Sequence, residues 1–424
     1  MRNHKWIRGA SAMVLALGVM VSAAGQSVSA SHAPGGYFDL DKLPAVEATG
    51  KQIADTLAAF SDEFPYRFTG GPTEMLAAEE IRAEMAGLGY TATIEPLSPN
   101  AAAPAAPVGP LRALTAVKRG TTKPNEWILL VGHYDTIATT IYGAYDNGAG
   151  TNMLRFLARE LADVKTNRSI MFVWYNAEEE GLLASKRHAA MLKAENNGAG
   201  RNIAAVLGFD MVGIGYPVKP PADIPATTYC MCLYHGSRDK TWADPLFKHV
   251  NHAFLGFPNS TTTVPVAGNN VRNSDESSFA SQGWRTLRWT GMRTASNYPA
   301  YHDQDDTMET IDRVAGGRSY FEQGSLNTLK SSYYTLLAVD NHAPSPAAVA
   351  TVSGSTASFD AGGTTDEDGA PSSYTWDFGD GTTGQGATAT HTYAAPGTYT
   401  ATLTVADNLW TNVTRTTSVT VTIP

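Results

Sequence analysis

Residues 128–135 read Ile-Leu-Leu-Val-Gly-His-Tyr-Asp, and residues 143–150 read Gly-Ala-Tyr-Asp-Asn-Gly-Ala-Gly. The first stretch predicts a buried strand that stops at a glycine, and the second opens an apolar helical pattern. His133, Asp135 and Asp146 therefore follow the end of a strand, where ligands bind in α/β proteins. Two carboxylates and one imidazole at such a place favour a metal site.

The surrounding chain alternates between strand and helix patterns. Continuous apolar runs at residues 169–175 and 203–209 are typical of strands buried on both faces. Helical patterns at residues 149–161 and 181–192 separate these runs. The alternation predicts an α/β fold with a largely parallel sheet.

The composition changes at residue 343, and from there to residue 424 threonine, serine, glycine and alanine dominate. Short alternating segments separated by turn residues predict a small β-sandwich. Ser-Tyr-Thr-Trp-Asp-Phe-Gly-Asp-Gly at 373–381 and the segment 391–405 resemble the polycystic-kidney-disease (PKD) domain. The resemblance implies an immunoglobulin-like β-sandwich that binds a polymer or protein surface or acts as a spacer.

The N-terminus predicts export. Arg2, Lys5 and Arg8 precede an apolar run at 12–24 and a small-x-small site at 28–30, which together are typical of a secretory signal. The apolar run is too short to span a bilayer, so we expect a secreted protein without a membrane span. The formal charge is −9, and removal of the three N-terminal cations would make it about −12. This balance indicates no nucleic-acid partner.

The two cysteines, Cys230 and Cys232, lie two residues apart. An exported chain could pair them, although such a bridge within a strand would be strained. The sequence leaves their pairing open. A cysteine hydrolase using His235 has no other support in the sequence.

Acidic and histidine side chains recur after the predicted strands: His133, Asp135, Asp146, Glu178, Glu179, Asp210 and His302. Imidazole and carboxylate ligands suit zinc, and one carboxylate can bridge two metals. Peptide hydrolysis needs an activated water and a polarised carbonyl, which metals supply. It also needs a further carboxylate to move the proton.

Five motifs occur in order: Gly-His-Tyr-Asp, Tyr-Asp-Asn-Gly-Ala-Gly, Ala-Glu-Glu-Glu-Gly-Leu, Phe-Asp-Met-Val-Gly and Tyr-His-x-x-x-Asp-Thr. Over residues 37–340 the chain resembles the secreted co-catalytic di-zinc aminopeptidases of the bacterial leucyl-aminopeptidase type. The resemblance implies a three-layer zinc-exopeptidase fold with a mostly parallel mixed sheet. We therefore expect a signal peptide at 1–30, a catalytic domain at 31–342 and a PKD-like domain at 343–424.

The resemblance also implies five ligands for two Zn²⁺ ions. Asp146 would bridge both metals. His133 and Asp210 would complete one site, and Glu179 and His302 would complete the other.

Three further residues receive roles from the resemblance. Glu178 would be the general acid/base, Asp135 would orient the imidazole of His133, and Tyr301 would lie near the developing oxyanion. Since three glutamates are consecutive, a register shifted by one, with Glu179 as base and Glu180 as ligand, competes with this assignment.

Other interpretations stay open at this point. A carboxypeptidase or dipeptidase of the same di-zinc family would share the ligands, and an inactive binding protein is a different class. Glutaminyl cyclases resemble this family in fold but use one zinc, so they would not need His133 as a ligand. We expect a monomer that acts on peptides or proteins. A further hypothesis is calcium binding in the C-terminal domain through four acids: Asp360, Asp366, Glu367 and Asp368.

Overall fold

The computed structural model describes residues 43–97, 109–215, 232–236, 250, 263–266, 274–291, 298–366, 370–407 and 414–424. All of these residues fall within one unit, Tyr37–Pro424. The predicted signal peptide and the side chains of Cys230 and Cys232 lie outside the described residues.

One mixed sheet organises the larger domain. Its described strands are β1 (Thr91–Pro96), β2 (Arg112–Lys118), β3 (Lys123–His133), β4 (Arg168–Tyr175), β5 (Ile203–Phe209), β6 (Cys232–Gly236), β7 (Thr263–Val266) and β8 (Thr286–Thr290). They are ordered β1-β2-β4-β3-β5-β8-β6-β7. The central strands β4, β3, β5 and β8 are parallel, whereas β1, β2 and β4 pair antiparallel. Since the central strands run in the same direction, their carboxyl ends meet at one edge.

The middle strand β3 is buried on both faces. Ile128 and Leu130 pack into one hydrophobic core, while Leu129 and Val131 pack into another. Successive side chains of a strand point to opposite faces, so a continuous apolar run can fill two cores at once. This burial explains why residues 128–131 show no polar alternation.

Seven described helices complete the larger domain: α1 (Gly50–Glu63), α2 (Glu74–Gly87), α3 (Gly150–Leu161), α4 (Leu183–Ala194), α5 (Glu276–Ser281), α6 (Met308–Ala315) and α7 (Arg318–Asp340). Helices α1, α2, α3, α6 and α7 contribute to one core, and α4 and α5 contribute to the other. The sheet is therefore the middle of three layers.

Local sequence explains where these helices begin and end. Thr49 and Gln52 form a capping box at the start of α1, which satisfies backbone N–H groups that the helix itself cannot bond. Helix α6 begins after the capping residue Thr307 and ends at Gly316, whose left-handed φ of 87° closes the last turn. Within the described part of the chain, every helix is too short or too polar to cross a bilayer.

The C-terminal region contains two antiparallel sheets. One sheet has the order β13-β10-β9 and the other has the order β12-β11-β14-β15. The strands are β9 (Val349–Ser353), β10 (Thr356–Asp360), β11 (Ser373–Asp377), β12 (Thr383–Gln385), β13 (Thr388–Thr392), β14 (Gly397–Ala406) and β15 (Thr414–Ile423). Phe359, Trp376 and Leu403 lie in a hydrophobic core of its own.

The predicted fold class is confirmed: a mostly parallel mixed α/β sheet is followed by antiparallel sheets of the expected β-sandwich. The strand expected around the two cysteines is found at β6, Cys232–Gly236. Strand β7 and helix α6 were not predicted. Strand β7 is only four residues long, too short for a clear periodic pattern.

Candidate metal centre

Three neighbouring parallel strands deliver most of the predicted site residues. Strand β3 ends at His133, β4 leads into Glu178 and Glu179, and β5 is followed directly by Asp210. Because β4, β3 and β5 are adjacent and parallel, these side chains meet at the carboxyl edge of the sheet.

Asp146 arrives from a tight loop rather than from a strand. Residues Ala144–Ala149 form a π-helical turn that precedes α3, and within it Asp146 has non-helical φ and ψ of −109° and 100°. Gly143 precedes the turn with a left-handed φ of 52°, which glycine adopts at little cost. The Asp146–Asn147 peptide bond is cis.

Asp146 lies between two imidazoles, with one carboxylate oxygen facing each. Its Oδ1 is 3.6 Å from His133 Nε2, and its Oδ2 is 3.4 Å from His302 Nε2. His133 Nε2 also lies 3.8 Å from Asp210 Oδ1, while His302 Nε2 lies 3.2 Å from Glu179 Oε2. Two triads result, and they share Asp146.

The spacing of these atoms fits metal coordination. In each triad the potential ligand atoms lie within 4.8 Å of one another. Ligands about 2.0–2.2 Å from one tetrahedral zinc are roughly 3.3–3.6 Å apart, close to the separations around Asp146. Glu179 Oε1 is buried and has no hydrogen-bond partner among the described residues. The donor set and its spacing therefore fit two zinc ions.

Asp135 contacts the imidazole of His133. The Nδ1 atom of His133 lies 3.3 Å from the Asp135 carbonyl oxygen and 3.4 Å from its Oδ1. Both residues are fully buried. With Nδ1 occupied in this way, Nε2 faces Asp146 and Asp210, as in a carboxylate–histidine–metal arrangement.

Asp135 has a second set of contacts that the sequence did not predict. The backbone N–H of Glu178 lies 3.4 Å from Asp135 Oδ1, and that of Glu179 lies 3.5 Å from Oδ2. One carboxylate therefore links the end of β3 to the loop that carries both glutamates.

The side chains enclose a cavity of about 100 Å³. Its described lining consists of His133, Asp146, Glu178, Glu179, Asp210, Met211, Tyr301 and His302. The rings of Tyr301 and His302 stack with centroids 3.8 Å apart. Burial raises the pKa of the Tyr301 hydroxyl, and the carboxylates of the cavity raise it further.

The charges at the centre are strongly coupled. Burial, followed by the neighbouring Glu179 carboxylate, raises the pKa of Asp146 to about 7. Burial also raises the pKa of Glu178 well above its ordinary value, although the positive charge of His133 opposes the shift. For His302, burial lowers the pKa, but hydrogen bonds to Asp146 and Glu179 outweigh it and raise the value to about 10.

Glu180 differs from its two neighbours. The described metal-ligand groups include Glu178 and Glu179 but not Glu180. Its Oε2 instead accepts a hydrogen bond from Thr69 Oγ1 at 3.0 Å. This contact holds the Glu180 side chain half-buried against the loop before α2.

Sequence reasoning missed two buried residues that support the loop from Asp135 to Asp146. Asp306 accepts hydrogen bonds from the backbone of Tyr145 and Asp146. Arg67 donates to the carbonyls of four residues, Phe64, Tyr134, Tyr142 and Gly143. Asp306 stands within the Tyr-His-x-x-x-Asp-Thr motif, which was the available signal. For Arg67 the sequence holds no comparable signal.

The acids of the calcium hypothesis are only partly described. Asp360 is exposed and accepts the backbone N–H of Gly362 at 2.7 Å, an ordinary turn contact. Both carboxylate oxygens of Asp366 are buried without a hydrogen bond to the described residues. Glu367 and Asp368 lie outside the described residues, so calcium binding stays a prediction.

Comparison with known families identifies both regions. Residues 114–320 match Peptidase family M28, and residues 341–423 match the PKD domain. The two resemblances predicted from the motifs are therefore confirmed over these residues. The family match includes seven of the predicted site residues and the stacked Tyr301.

Curated relatives match over shorter stretches. Aminopeptidase Y of Saccharomyces cerevisiae is 35% identical over 89 residues, which cover 21% of this chain and 16% of that protein. The chain spans less than half the length of the first curated relatives that it matches.

Solved structures share the fold at low sequence identity. A zinc aminopeptidase from Bacillus subtilis matches with a TM-score of 0.51 and 16% identity, covering 68% of this chain and 96% of that one. Glutaminyl cyclase from Porphyromonas gingivalis also matches with a TM-score of 0.51, at 17% identity, covering 69% and 99%. Because two different activities fit equally well, the fold alone does not select between them.

We predict that the folded chain binds two equivalents of zinc at neutral pH and releases them on mild acidification. Zinc binds neutral imidazoles and ionised carboxylates. The carboxylates of Asp146 and Glu179 raise the pKa of His302, so they also favour the protonated imidazole, which cannot bind zinc. Protons therefore compete with zinc, and zinc affinity falls as the pH falls. Metal analysis after dialysis at neutral and mildly acidic pH measures this change, and a zinc content independent of pH would contradict it.

Proposed function

We propose that this chain, which carries a domain of peptidase family M28 followed by a PKD domain, is a di-zinc aminopeptidase. It would hydrolyse the first peptide bond of peptides or proteins that have a free N-terminus. The alternative within the same family is a carboxypeptidase or dipeptidase. Glutaminyl cyclisation is a separate candidate, favoured only by the shared fold.

The position of Asp146 carries the proposal. Its two oxygens face two different imidazoles at 3.6 and 3.4 Å, so one carboxylate serves two metal positions. His133 and Asp210 would hold one zinc together with Asp146, and Glu179 and His302 would hold the other. A single-zinc cyclase would not need His133 as a metal ligand, so the imidazole that Asp135 contacts favours a site with two metals.

Glu178 is the proposed proton shuttle. Bound zinc supplies a Lewis acid for the scissile carbonyl and lowers the pKa of a water molecule. Glu178 lines the same cavity and is left over once the five ligands are assigned. Its carboxylate would take the water proton as the oxygen attacks the carbonyl carbon. It would then give that proton to the amine that leaves when the carbon–nitrogen bond breaks.

Burial supports this role for Glu178. A general base must accept a proton readily near the working pH, and burial raises the pKa of Glu178 above that of an exposed glutamate. Tyr301 also lines the cavity and would hydrogen bond to the oxygen that becomes negative. Its phenol keeps its proton because burial raises the pKa of that group.

The cavity favours the N-terminal end of a peptide. Four of the described residues that line the cavity of about 100 Å³ are carboxylates. Asp146, Glu179 and Asp210 are committed to the metals, and Glu178 supplies the remaining negative charge. Glu178 holds no metal in this assignment, and its carboxylate can accept hydrogen bonds from the free α-amine of a peptide.

We predict that the enzyme cleaves a peptide but not its N-acetylated counterpart. Acetylation removes the amine and lengthens the end that must fit the cavity. Release of the first amino acid from matched peptides can be followed by chromatography. Equal cleavage of both would contradict the aminopeptidase assignment and favour attack at the other end. Cyclisation of an N-terminal glutamine without release of an amino acid would identify a cyclase.

We predict different results for the three consecutive glutamates. Glu178→Gln should lower kcat by about 10²–10⁴-fold, because the proton shuttle is lost while the metal ligands remain. Glu179→Ala should lower the zinc content, and Glu180→Gln should change both quantities little. Steady-state kinetics and metal analysis of the three variants separate these outcomes.

Glu180→Gln is the matched control in this series, since it neutralises a neighbouring carboxylate that contacts Thr69 instead of the metal ligands. If Glu180→Gln is the variant that loses zinc, the ligand register is shifted by one residue.

We predict that a chain ending at residue 342 keeps near-normal kcat/KM on small substrates. All proposed ligands precede this point, and the C-terminal region has its own hydrophobic core. The comparison uses kinetics of both forms together with circular dichroism, which verifies folding. A large loss of activity in a folded truncated form would show that the second domain shapes the active site.

Several finer points remain predictions. Export depends on residues 1–30, which lie outside the described residues, and a monomer is the expected state. The PKD domain would bind a polymer or a protein surface or act as a spacer. Calcium at Asp366 would be an additional feature of that domain and is not required for the proposed chemistry.

A further inference from the structure

We infer that Asp306 is a positioning residue that holds the bridging carboxylate of Asp146 between the two metal positions. The inference rests on the proposed function, because it concerns the same di-zinc centre. Asp306 is fully buried and belongs to neither of the triads around Asp146. Its carboxylate contacts the loop that carries Asp146 instead.

Both oxygens of Asp306 are used. Oδ1 accepts the backbone N–H of Tyr145 at 2.9 Å and the hydroxyl of Tyr298 at 2.7 Å. Oδ2 accepts the backbone N–H of Asp146 at 2.9 Å. The carbonyl oxygen of Asp306 also accepts the N–H of Ala144 at 3.2 Å. Asp306 therefore accepts hydrogen bonds from three consecutive backbone N–H groups, and the last of them belongs to Asp146.

The loop depends on these bonds because its own backbone is irregular. The N–H groups of Ala144, Tyr145 and Asp146 lie at the start of the turn that follows the left-handed Gly143, so no preceding helical turn supplies carbonyl partners for them. Buried N–H groups without partners are costly. A carboxylate has enough acceptor positions to serve two amides and a hydroxyl together, and its charge strengthens each bond.

Asn147, on the other side of the loop, forms hydrogen bonds with the end of β5 and with the segment that follows it. Asn147 Nδ2 donates to the carbonyl of Phe209 at 2.9 Å, and Asn147 Oδ1 accepts the N–H of Met211 at 3.1 Å. Phe209 and Met211 flank the proposed ligand Asp210. The bridging residue is therefore held from Asp306 on one side and from the Asp210 segment on the other.

Asp306 also belongs to the segment that carries a second ligand. His302 lies four residues earlier, in a run of turns in which Tyr301, Asp303 and Asp306 donate backbone hydrogen bonds to nearby carbonyls. This short segment brings His302 Nε2 to 3.4 Å from Asp146 Oδ2. At its other end it binds the Asp146 amide. The distance between the bridging carboxylate and one imidazole is thereby set within a single segment.

The substitution Asp306→Asn tests the inference with almost no change in size. An amide has one acceptor oxygen, so its NH₂ group must face either the Asp146 N–H or the pair formed by Tyr145 and Tyr298. If the amide oxygen faces Tyr145 and Tyr298, both of those hydrogen bonds are kept. The NH₂ group then faces the backbone N–H of Asp146, and that hydrogen bond is lost. The Asp146 loop should then shift, while the rest of the buried network stays in place.

We expect Asp306→Asn to weaken zinc binding by about 10–100-fold, the usual effect of losing a residue that orients a metal ligand. Competition with a coloured chelator measures the affinity of the metal-free folded protein. Activity should recover in excess zinc, which a misfolded protein would not show. Asp305→Asn is the matched control, because Asp305 is the adjacent exposed acid on the same loop, and its zinc affinity should equal that of the unmodified chain.

Tyr298→Phe provides a second, milder variant. It removes one hydrogen bond from Asp306 Oδ1 and leaves the bond to the Asp146 amide, so zinc affinity should fall by roughly 3- to 10-fold. This variant keeps the inference testable if Asp306→Asn does not fold. Unchanged zinc affinity in the folded variants would overturn the positioning role.

The outcomes also separate this inference from the proposed function. An unmodified chain that binds no zinc would contradict the di-zinc enzyme itself. An unmodified chain with two zinc ions and an Asp306→Asn variant of equal affinity would contradict only the role of Asp306. A loss of thermal stability in the metal-free variant without a change in zinc affinity would assign Asp306 to the fold alone.

Discussion

Repulsion among carboxylates is the constraint on which the rest of the active centre depends. Asp135, Asp146, Glu178, Glu179 and Asp210 converge at one edge of the sheet, and burial removes most of the water that would screen them. Burial, and then the neighbouring carboxylates, raise the pKa of Asp146, and burial also raises the pKa of Glu178 in the metal-free protein. Two divalent cations would offset the repulsion. Without cations this cluster of carboxylates is therefore unfavourable, whereas two bound metal ions would stabilise it.

A crowded centre of this kind needs rigid support, and the supporting residues contact backbone more than side chains. Arg67 donates to four carbonyl oxygens around the loop that starts at Tyr134, and Asp306 accepts amides near its end. Burial lowers the pKa of Arg67 to about 10, still far above neutral, so the guanidinium remains charged. A buried guanidinium and a buried carboxyl group therefore hold opposite ends of the loop that carries Asp146.

The sequence allowed the fold class to be predicted because the central strands are apolar on both faces. The same pattern placed His133 and Asp210 correctly at strand ends, since a strand that stops at the carboxyl edge leaves the next residue there. Bringing His302 to the same point required the family resemblance, because periodicity contains no information about a loop more than 150 residues away from His133. The contacts of Arg67 could not be predicted, since they depend on backbone groups that only the folded chain brings together. For Asp306 the Tyr-His-x-x-x-Asp-Thr motif marks the position, but not the backbone N–H groups that it binds.

The C-terminal region is stabilised by a hydrophobic core that is separate from the cores of the larger domain. Its core contains Trp376, Phe359 and Phe378, whose rings pack against one another, so it does not rely on the larger domain for apolar burial. Asn341, just after α7, donates to Asp407 at 3.0 Å and links the last helix to the end of β14. Because this region has its own core and the carboxylates around Asp146 all precede it in the chain, we expect its loss to leave that cluster undisturbed.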